Sequence, residues 1–236
     1  MKNVYLVTSA INTKFGVFDS NARFLQTLDT IKSIRAVDSN SLVVLIEMAA
    51  LPLTNLQRDV LKSITDYQVD FTGNSFVVSL YNSTGNWDVV KNVTETTCFK
   101  QALVHLFTDG ALKEKINRVF KVSGRYLLTP SFDPLLHLGD NFVFAKKRKS
   151  QFAPEVTDGC DYQYMSRCWS FPAARAEEVI LAYEAFALFM HERLSLGGYV
   201  DLEHCLYKYL FNRGVTELDK IGVAGFIGPN GTKVED

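Results

Sequence analysis

The chain has 236 residues, of which 47% are hydrophobic and 22% are charged, and its net charge is -1. This composition is typical of a folded globular protein, and the balanced charge argues against nonspecific nucleic-acid binding, which requires a basic excess. No apolar run approaches the roughly 20 residues of a membrane span, and the four cysteines lack the paired spacing of metal ligands. We therefore expect a cytoplasmic protein with reduced thiols, no nucleic-acid partner and no membrane span.

The first 71 residues alternate between strand patterns and helical patterns. Short runs at residues 4–8, 42–46 and 68–71 have the length and character of buried strands. Between them, apolar residues recur at helical spacing after Asn21, and again after Thr54 or Asn55, which are suitable N-terminal caps. This alternation predicts a βαβαβ unit with a parallel sheet.

The remaining elements predict a second half of different character. Residues 76–81 could form a further strand, and a helix is predicted from Thr94 or Thr96 through Phe107. The elements predicted after it are strands at 119–128, 141–145 and 165–170 and helices at 173–194 and 201–211. A glycine-rich tail ends the sequence, and we interpret it as a turn that could fold over a ligand. The fold class is α/β: one domain with a mainly parallel sheet flanked by helices and a mixed second half.

The strand predicted at residues 119–128 carries two cations into an apolar setting. Alternation along a strand places Lys121, Ser123 and Arg125 on one face, and Gly124 between them allows close approach to the backbone. An Arg fork beside a Lys charge suits an oxygen-rich anion such as a diphosphate. The alternative is an ordinary strand whose cations reach solvent or pair with a carboxylate.

Three sets of segments together resemble a known family. They are TSAI at 8–11 with RFLQTLDTIKSIR at 23–35, FKVSGRYL at 120–127, and DLEH at 201–204 with IGVAGFIGP at 221–229. This set resembles glycosyltransferase-like proteins of GT-A fold found in phages, giant viruses and bacteria. The resemblance implies transfer of a sugar from a nucleotide-sugar donor to an acceptor hydroxyl on a glycan or protein. It also implies a nucleotide-binding half at 1–130, an acceptor-side half at 131–236, and a host cytoplasmic location if the protein is viral.

The resemblance implies donor-binding positions at the ends of the first two strands and near the phosphates. In such folds the base and ribose lie near these strand ends, and a carboxylate there can accept hydrogen bonds from ribose hydroxyls. The expected donor-binding residues are Thr8, Ser9, Ala10, Arg23, Glu47, Lys121, Ser123 and Arg125. For Glu47 the alternative is a surface carboxylate or cap partner, and for Arg23 it is an exposed helical arginine.

The sequence departs from the family pattern at the metal site. Many GT-A enzymes hold Mg²⁺ or Mn²⁺ through an Asp-any-Asp motif, but the matching residues 121–125 contain no carboxylate. We therefore predict no metal ligand, although Mg²⁺ or Mn²⁺ held by an unrecognised carboxylate stays open. Either Lys121 and Arg125 neutralise the diphosphate without metal, or the chain has lost activity.

The best local cluster for acid–base chemistry is Asp201, Glu203 and His204 at a predicted helix start. An inverting transfer needs a group that takes the acceptor proton, and we assign Glu203 as that base, with Asp201 or His204 orienting it. The alternative is ordinary first-turn chemistry, because acidic residues favour a helix N-terminus. If the transfer retains configuration, no strict base is required.

Two other functions remain open. A catalytically inactive binding or interaction protein of GT-A-like fold is favoured by the missing metal motif. A nucleotidyltransferase shares a nucleotide-binding sheet, but residues 11–16 are too poor in Gly and Arg to form its usual phosphate loop.

Overall fold

The computed structural model describes residues 1–112, 115–228 and 230–236. Its strands are, in chain order, β1 (Lys2–Ser9), β2 (Leu42–Glu47), β3 (Tyr67–Asp70), β4 (Ile116–Ser123), β5 (Tyr126–Leu128), β6 (Phe142–Ala145), β7 (Arg148–Lys149), β8 (Tyr162–Gln163), β9 (Cys168–Pro172), β10 (Val215–Leu218), β11 (Val223–Phe226) and β12 (Lys233–Glu235). Its α-helices are α1 (Ser20–Val37), α2 (Asn55–Ile64), α3 (Ser75–Ser83), α4 (Trp87–Leu103), α5 (Pro154–Thr157), α6 (Ala176–Ser195) and α7 (Leu202–Leu210). A π-helical turn, Val104–Thr108, extends α4.

The central sheet has the strand order β10-β6-β9-β4-β1-β2-β3 in the described part of the chain. Strand β1 pairs in parallel with both β2 and β4, while β9 runs antiparallel between β4 and β6. The predicted mainly parallel sheet with a mixed second half is therefore confirmed. The strand order reverses beside β1, because β2 and β3 lie on one side of it and β4 on the other. In open α/β sheets, ligands bind at such a reversal, beyond the carboxyl ends of the strands.

The period-two pattern of the buried strands divides the core between the two faces of the sheet. On one face, Tyr5, Val43 and Phe120 pack with apolar residues of α1 and α2, including Ile31 and Leu61. The other face carries Leu6, Val44 and Val119, packed with residues of α4, α6 and α7. Both faces of β1, β2 and β4 are covered, which explains the continuous apolar runs at residues 4–7 of β1 and 42–46 of β2.

A smaller sheet brings the tail of the chain back to the middle of the sequence. Strand β11 pairs antiparallel with both β5 and β12, with Val223 opposite Leu128. The carboxylate of Asp236 contacts the guanidinium groups of Arg148 and Arg167. The backbone N–H of Asp236 donates to Val223 O at 2.9 Å. The glycine-rich tail is therefore not a loose turn, because strand pairing and two ion pairs hold it. Pro229, part of the tail segment, lies outside the described residues.

Two predicted strands are corrected by the structure. Residues 76–81 lie inside α3, because the Asn74 side-chain oxygen accepts the N–H groups of Phe76 and Val77 and caps a helix there. The strand predicted at 119–128 is interrupted, since β4 ends at Ser123 and β5 begins at Tyr126. Arg125 lies in the intervening turn, so Lys121, Ser123 and Arg125 do not share one strand face.

The predicted helices are present, with shifted starts. Helix α4 begins at Trp87, capped by Asn86, rather than at Thr94 or Thr96. The predicted helix at 173–194 is divided into a 3₁₀ turn, Ala173–Arg175, and α6. The predicted strand at 165–170 is displaced towards the C-terminus and corresponds to β9. No helix of the described residues is long and apolar enough to cross a bilayer, and the cytoplasmic location stays a prediction.

Candidate functional site

A cleft opens at the carboxyl ends of β1, β2 and β4, where the strand order reverses. It encloses about 960 Å³ of space, part of it open to solvent, which is enough for a ligand the size of a nucleotide sugar. The cleft is lined by residues of these strand ends, of α1, α3 and α4, and of the tail. The lining residues include Thr8, Ser9, Ala10, Phe15, Gly16, Arg23, Met48, Ala49, Ala50, Tyr81, Trp87, Lys91, Thr94, Glu95, Ser123, Gly124, Arg125 and Gly228. Of the expected donor-binding residues, Thr8, Ser9, Ala10, Arg23, Ser123 and Arg125 are thus brought together.

The turn after β4 is held against the end of β1. The Gly124 N–H donates to Thr8 O at 2.8 Å. A methyl group on Gly124 would lie 3.1 Å from Thr8 O and 3.2 Å from Thr27 Oγ1, so a larger residue would push the turn outward. Glycine at this position therefore lets the turn sit close enough to β1 for Arg125 to reach the cleft.

Two guanidinium groups, those of Arg23 and Arg125, lie together in the cleft; we call them the guanidinium pair. Arg23 is 6% exposed and donates to the backbone oxygens of Phe15 at 2.7 Å, Phe18 at 3.0 Å and Ala10 at 3.4 Å. Burial, with the neighbouring charge of Arg125, lowers the pKa of Arg23 to about 10 against a smaller opposing effect of Glu47. Within the described residues, the buried Nε of Arg125 has no hydrogen-bond partner.

Glycines on two distant segments make room for the guanidinium pair. A methyl group on Gly16 would lie 2.6 Å from Arg23 Nη2 and 2.8 Å from Gly228 O. One on Gly228 would lie 3.0 Å from Arg125 Cζ. Val17 N–H donates to Gly228 O at 3.2 Å, which joins the tail to the loop after β1. The tail does line the cleft, as interpreted from its sequence, and it does so through Gly228.

Lys121 lies behind the cleft wall and pairs with a carboxylate on α4. Its Nζ is 2.6 Å from Glu95 Oε1 and donates to Ser166 O at 2.6 Å, and the side chain is almost fully buried. Burial alone would raise the pKa of Glu95, but the charges of Lys121 and Lys91 outweigh it and hold that pKa below its ordinary value. Glu95 is therefore ionised and tied to Lys121. Pairing with a carboxylate is the alternative that the sequence left open for this strand.

Glu47 also lies behind the lining, as a bridge between two loops. Its Oε2 accepts from Ser9 Oγ at 2.5 Å, and its Oε1 accepts from the N–H groups of Ile11 and Ala49, each at 3.0 Å. The residue is 1% exposed, and burial raises the pKa of its carboxyl group despite these hydrogen bonds. Both oxygens are thus engaged with the protein at the ends of β1 and β2.

The predicted acid–base cluster lies at the start of α7 and does not line the cleft. Asp201 is the N-cap of this helix, and its Oδ1 lies 2.6 Å from Nδ1 of the fully buried His204. Glu203 Oε1 accepts from Ser166 Oγ at 2.5 Å and lies 3.9 Å from Lys91 Nζ. Because Lys91 lines the cleft, Glu203 is the member of the cluster nearest to it.

Sequence reasoning missed the contribution of α4. Lys91, Thr94 and Glu95 all line the cleft, and their spacing places them on one helical face, a signal that the sequence does carry. The lining aromatics Phe15, Tyr81 and Trp87 were also missed. Trp169 and Phe171, two other aromatic residues of the second half, are fully buried in the core.

The described residues do not fit a divalent metal ion. They contain no group of three or more His, Cys, Asp or Glu side chains that could hold one. The carboxylate that lines the cleft, Glu95, is already paired with Lys121. Hard divalent cations require several free oxygen ligands, which the described part of the cleft does not supply from its side chains.

Solved structures share this fold at low sequence identity. A galactosyltransferase, LgtC, in complex with donor and acceptor sugar analogs has a TM-score of 0.55 and 11% identity over 91% of this chain and 72% of that chain. An active-site mutant of LgtC has a TM-score of 0.52 and 10% identity over the same shares, 91% and 72%. Mouse xyloside xylosyltransferase 1 has a TM-score of 0.49 and 9% identity over 92% of this chain and 84% of that chain.

Sequence comparison adds no relative, since no protein-family model matches the chain and no curated protein is significantly similar to it. At identities of 10 and 11%, the LgtC structures show the fold alone. They agree with the resemblance drawn from the sequence segments. The chain has a GT-A-like fold.

Proposed function

We propose that the protein transfers a sugar from a nucleotide-sugar donor to a hydroxyl group of a glycan or protein acceptor. The observation that carries the proposal is the guanidinium pair, which lies in a cleft at the reversal point of an open α/β sheet. Neither arginine forms an ion pair with a described carboxylate. Such a site suits a dianionic or more highly charged nucleotide, and the GT-A-like fold, which does not by itself imply activity, agrees with it.

The proposed donor site places the nucleoside at the ends of β1 and β2. Thr8, Ser9 and Ala10 are the proposed contacts for the base and ribose, and the rings of Phe15 and Tyr81 offer apolar surface beside them. Glu47 is a positioning residue in this proposal, because it holds the backbone of Ile11 and Ala49 rather than facing the cleft. Ser123 offers its hydroxyl group from the end of β4.

In the proposed transfer, the acceptor oxygen forms a bond to the anomeric carbon, and the bond from that carbon to the diphosphate oxygen breaks. The leaving diphosphate keeps the bonding electron pair, and the acceptor proton passes to a carboxylate. Glu203 is the proposed base, with Asp201 and His204 as positioning residues that cap the helix carrying it. Glu95 lines the cleft as an ionised carboxylate and is proposed to stabilise positive charge that develops on the sugar.

The test measures nucleotide binding and turnover in the same mixtures. The protein is incubated with UDP-, GDP-, CDP- and dTDP-sugars, and both its melting temperature and the release of free nucleoside diphosphate are followed. We expect one nucleotide to stabilise the protein, by about 2.7 kcal/mol at a hundredfold excess over its Kd. Glu95→Gln and Glu203→Gln should each lower release about a hundredfold while nucleotide stabilisation persists. Glu184→Gln, on the exposed face of α6, is the matched control.

Each other outcome selects an alternative function. If no nucleotide raises the melting temperature, the donor-site assignment is wrong. Binding of a nucleotide without release would favour a catalytically inactive binding protein, for which the Glu95–Lys121 ion pair is the supporting observation. Release of pyrophosphate from a nucleoside triphosphate in the presence of a sugar phosphate would favour a nucleotidyltransferase.

A further inference from the structure

The guanidinium pair is an arrangement of two like charges, neither of which forms an ion pair with a carboxylate of the described residues. Arg23 uses its donors on three backbone oxygens, which are neutral, and Arg125 keeps a buried Nε without a described partner. An unpaired buried charge is costly in a folded protein, and two adjacent ones repel each other. An anion placed between or beside the two groups would therefore stabilise the pair.

The carboxylates near the cleft are already engaged. Lys121 Nζ holds Glu95 at 2.6 Å, Ser166 Oγ holds Glu203 at 2.5 Å, and three donors hold Glu47. Among the described residues, the site thus has two guanidinium groups without a carboxylate partner and carboxylates that already have donors. This is the reverse of a metal site, in which free carboxylates await a cation.

We propose that the guanidinium pair itself binds the diphosphate of the donor and replaces the divalent cation that many GT-A enzymes use. This inference rests on the proposed function, because it names how the same cleft holds its donor. Arginine forks match the oxygens of a diphosphate and remain charged throughout the physiological pH range. Gly16 and Gly228 leave the two groups accessible, since a side chain at either position would contact a guanidinium group.

The assignment changes the part that Lys121 has in the site. Its Nζ is committed to Glu95 and to Ser166 O, so it does not reach the cleft as a phosphate ligand. Lys121 instead acts as a positioning residue that keeps Glu95 ionised and fixed. The phosphate-binding cations come from the start of α1 and from the turn after β4, rather than from one strand.

The experiment is a calorimetric titration of UDP, GDP, CDP and dTDP into the full chain, in excess EDTA and separately in excess Mn²⁺. We expect the preferred nucleotide to bind with the same Kd, within about twofold, in both conditions. Arg125→Gln should weaken that binding by about tenfold or more, because it removes a charge-assisted contact, while the affinity for the corresponding nucleoside stays unchanged. Arg213→Gln, an exposed arginine remote from the cleft lining, is the matched control.

The outcomes separate this inference from the proposed function. Binding that requires Mn²⁺, or an Arg125→Gln variant with wild-type affinity, overturns the inference and leaves the donor site in place. Binding of no nucleotide in either condition overturns both. The Arg125 side chain makes no described hydrogen bond, so the variant should fold; a melting curve checks this. The salt dependence of nucleotide affinity supplies a second readout. It should be weaker in Arg125→Gln than in the wild type.

Discussion

Two arginines at opposite ends of β4 differ in how their charges are satisfied. Arg118, near the amino end of the strand, is 3% exposed, and it donates to Ser170 Oγ at 2.8 Å, Gly139 O at 2.9 Å and Asn141 O at 2.6 Å. Arg125, just beyond the carboxyl end, faces the cleft with a buried Nε that has no partner in the described chain. Both groups come from one strand and its following turn.

The difference teaches that burial of a cation does not by itself mark a binding site. Burial, with the charge of Arg175, lowers the pKa of Arg118 to about 10, and the pKa of Arg23 in the cleft falls to a similar value. What distinguishes the two ends of β4 is how the guanidinium donors are used. Arg118 donates to oxygens of the protein, whereas Arg125 in the cleft keeps a donor without a described partner. The proposed donor site therefore rests on an unsatisfied donor that faces a cleft, rather than on a perturbed pKa.

The largest expected effect is a loss of stability when Arg118, near the amino end of β4, is replaced. Arg118→Leu should lower the free energy of unfolding by about 3 kcal/mol, because it leaves the buried Ser170 hydroxyl and the carbonyl oxygens of Gly139 and Asn141 without their donor. Arg125→Leu should cause no loss of stability, since it removes a charge that repels Arg23. Chemical denaturation of both variants measures the contrast. Equal losses in the two variants would show that the comparison is wrong.

The next effect is a pH dependence centred on His137, which packs beside the Arg118 network. Its Nδ1 lies 2.7 Å from Ser170 Oγ, and burial, with the charge of Arg118, lowers the pKa of His137 to about 4. The unfolded state, with an ordinary pKa of 6.5, binds more protons between these values, so stability is present above pH 6.5 and is lost as pH falls towards 4. We expect a loss of about 3 kcal/mol over this range.

Denaturation curves at pH 7 and pH 4.5 isolate the contribution of His137. The difference in the free energy of unfolding between wild type and His137→Gln should shrink as the pH falls, because only the wild type carries this titrating group. His105→Gln, which changes an exposed histidine, should follow the wild type at both pH values. If the difference in the free energy of unfolding between wild type and His137→Gln does not change with pH, His137 is not held neutral by its surroundings.

The smallest effect concerns the acidic cluster that the sequence singled out. Asp201→Ala should lower the free energy of unfolding by about 1 kcal/mol, because Asp201 accepts the His204 N–H at 2.9 Å as the N-cap of α7. Asp201→Asn keeps a capping acceptor, so its loss in the free energy of unfolding should be less than half of that in Asp201→Ala. Thermal or chemical denaturation measures both. If the two variants lose the same amount, charge rather than capping is what Asp201 contributes.

The sequence predicted the elements whose signals are local. The buried runs at 4–8 and 42–46 and the cap at Thr54 depend on neighbouring residues, and the corresponding elements are present. Residues 76–81 were misread because a short apolar run has the same composition in a strand and in a helix. Asn74, which caps α3, was the signal that favoured the helix.

The candidate site was predicted only in part because its contacts are between distant segments. Thr8, Ser9, Ala10, Arg23, Ser123 and Arg125 all line one cleft, and the rule that ligands lie beyond strand ends brought Thr8, Ser9, Ser123 and Arg125 together in the prediction. The pairing of Lys121 with Glu95 could not be predicted, because no spacing in the sequence relates β4 to the middle of α4. The same limit hid the engagement of Glu47 with Ile11 and Ala49.

The contribution of Gly228 to the cleft has a consequence for synthesis of the protein. The cleft combines residues from the first strand with a glycine that the ribosome adds more than 200 residues later, as the positions of Thr8 and Gly228 show. A nascent chain that still lacks this glycine has α1 and β4 but not the wall that Gly228 forms. If the cleft is the nucleotide site proposed above, it is complete only after most of the chain has emerged, so a nucleotide should stabilise the full chain and not its early folding intermediates.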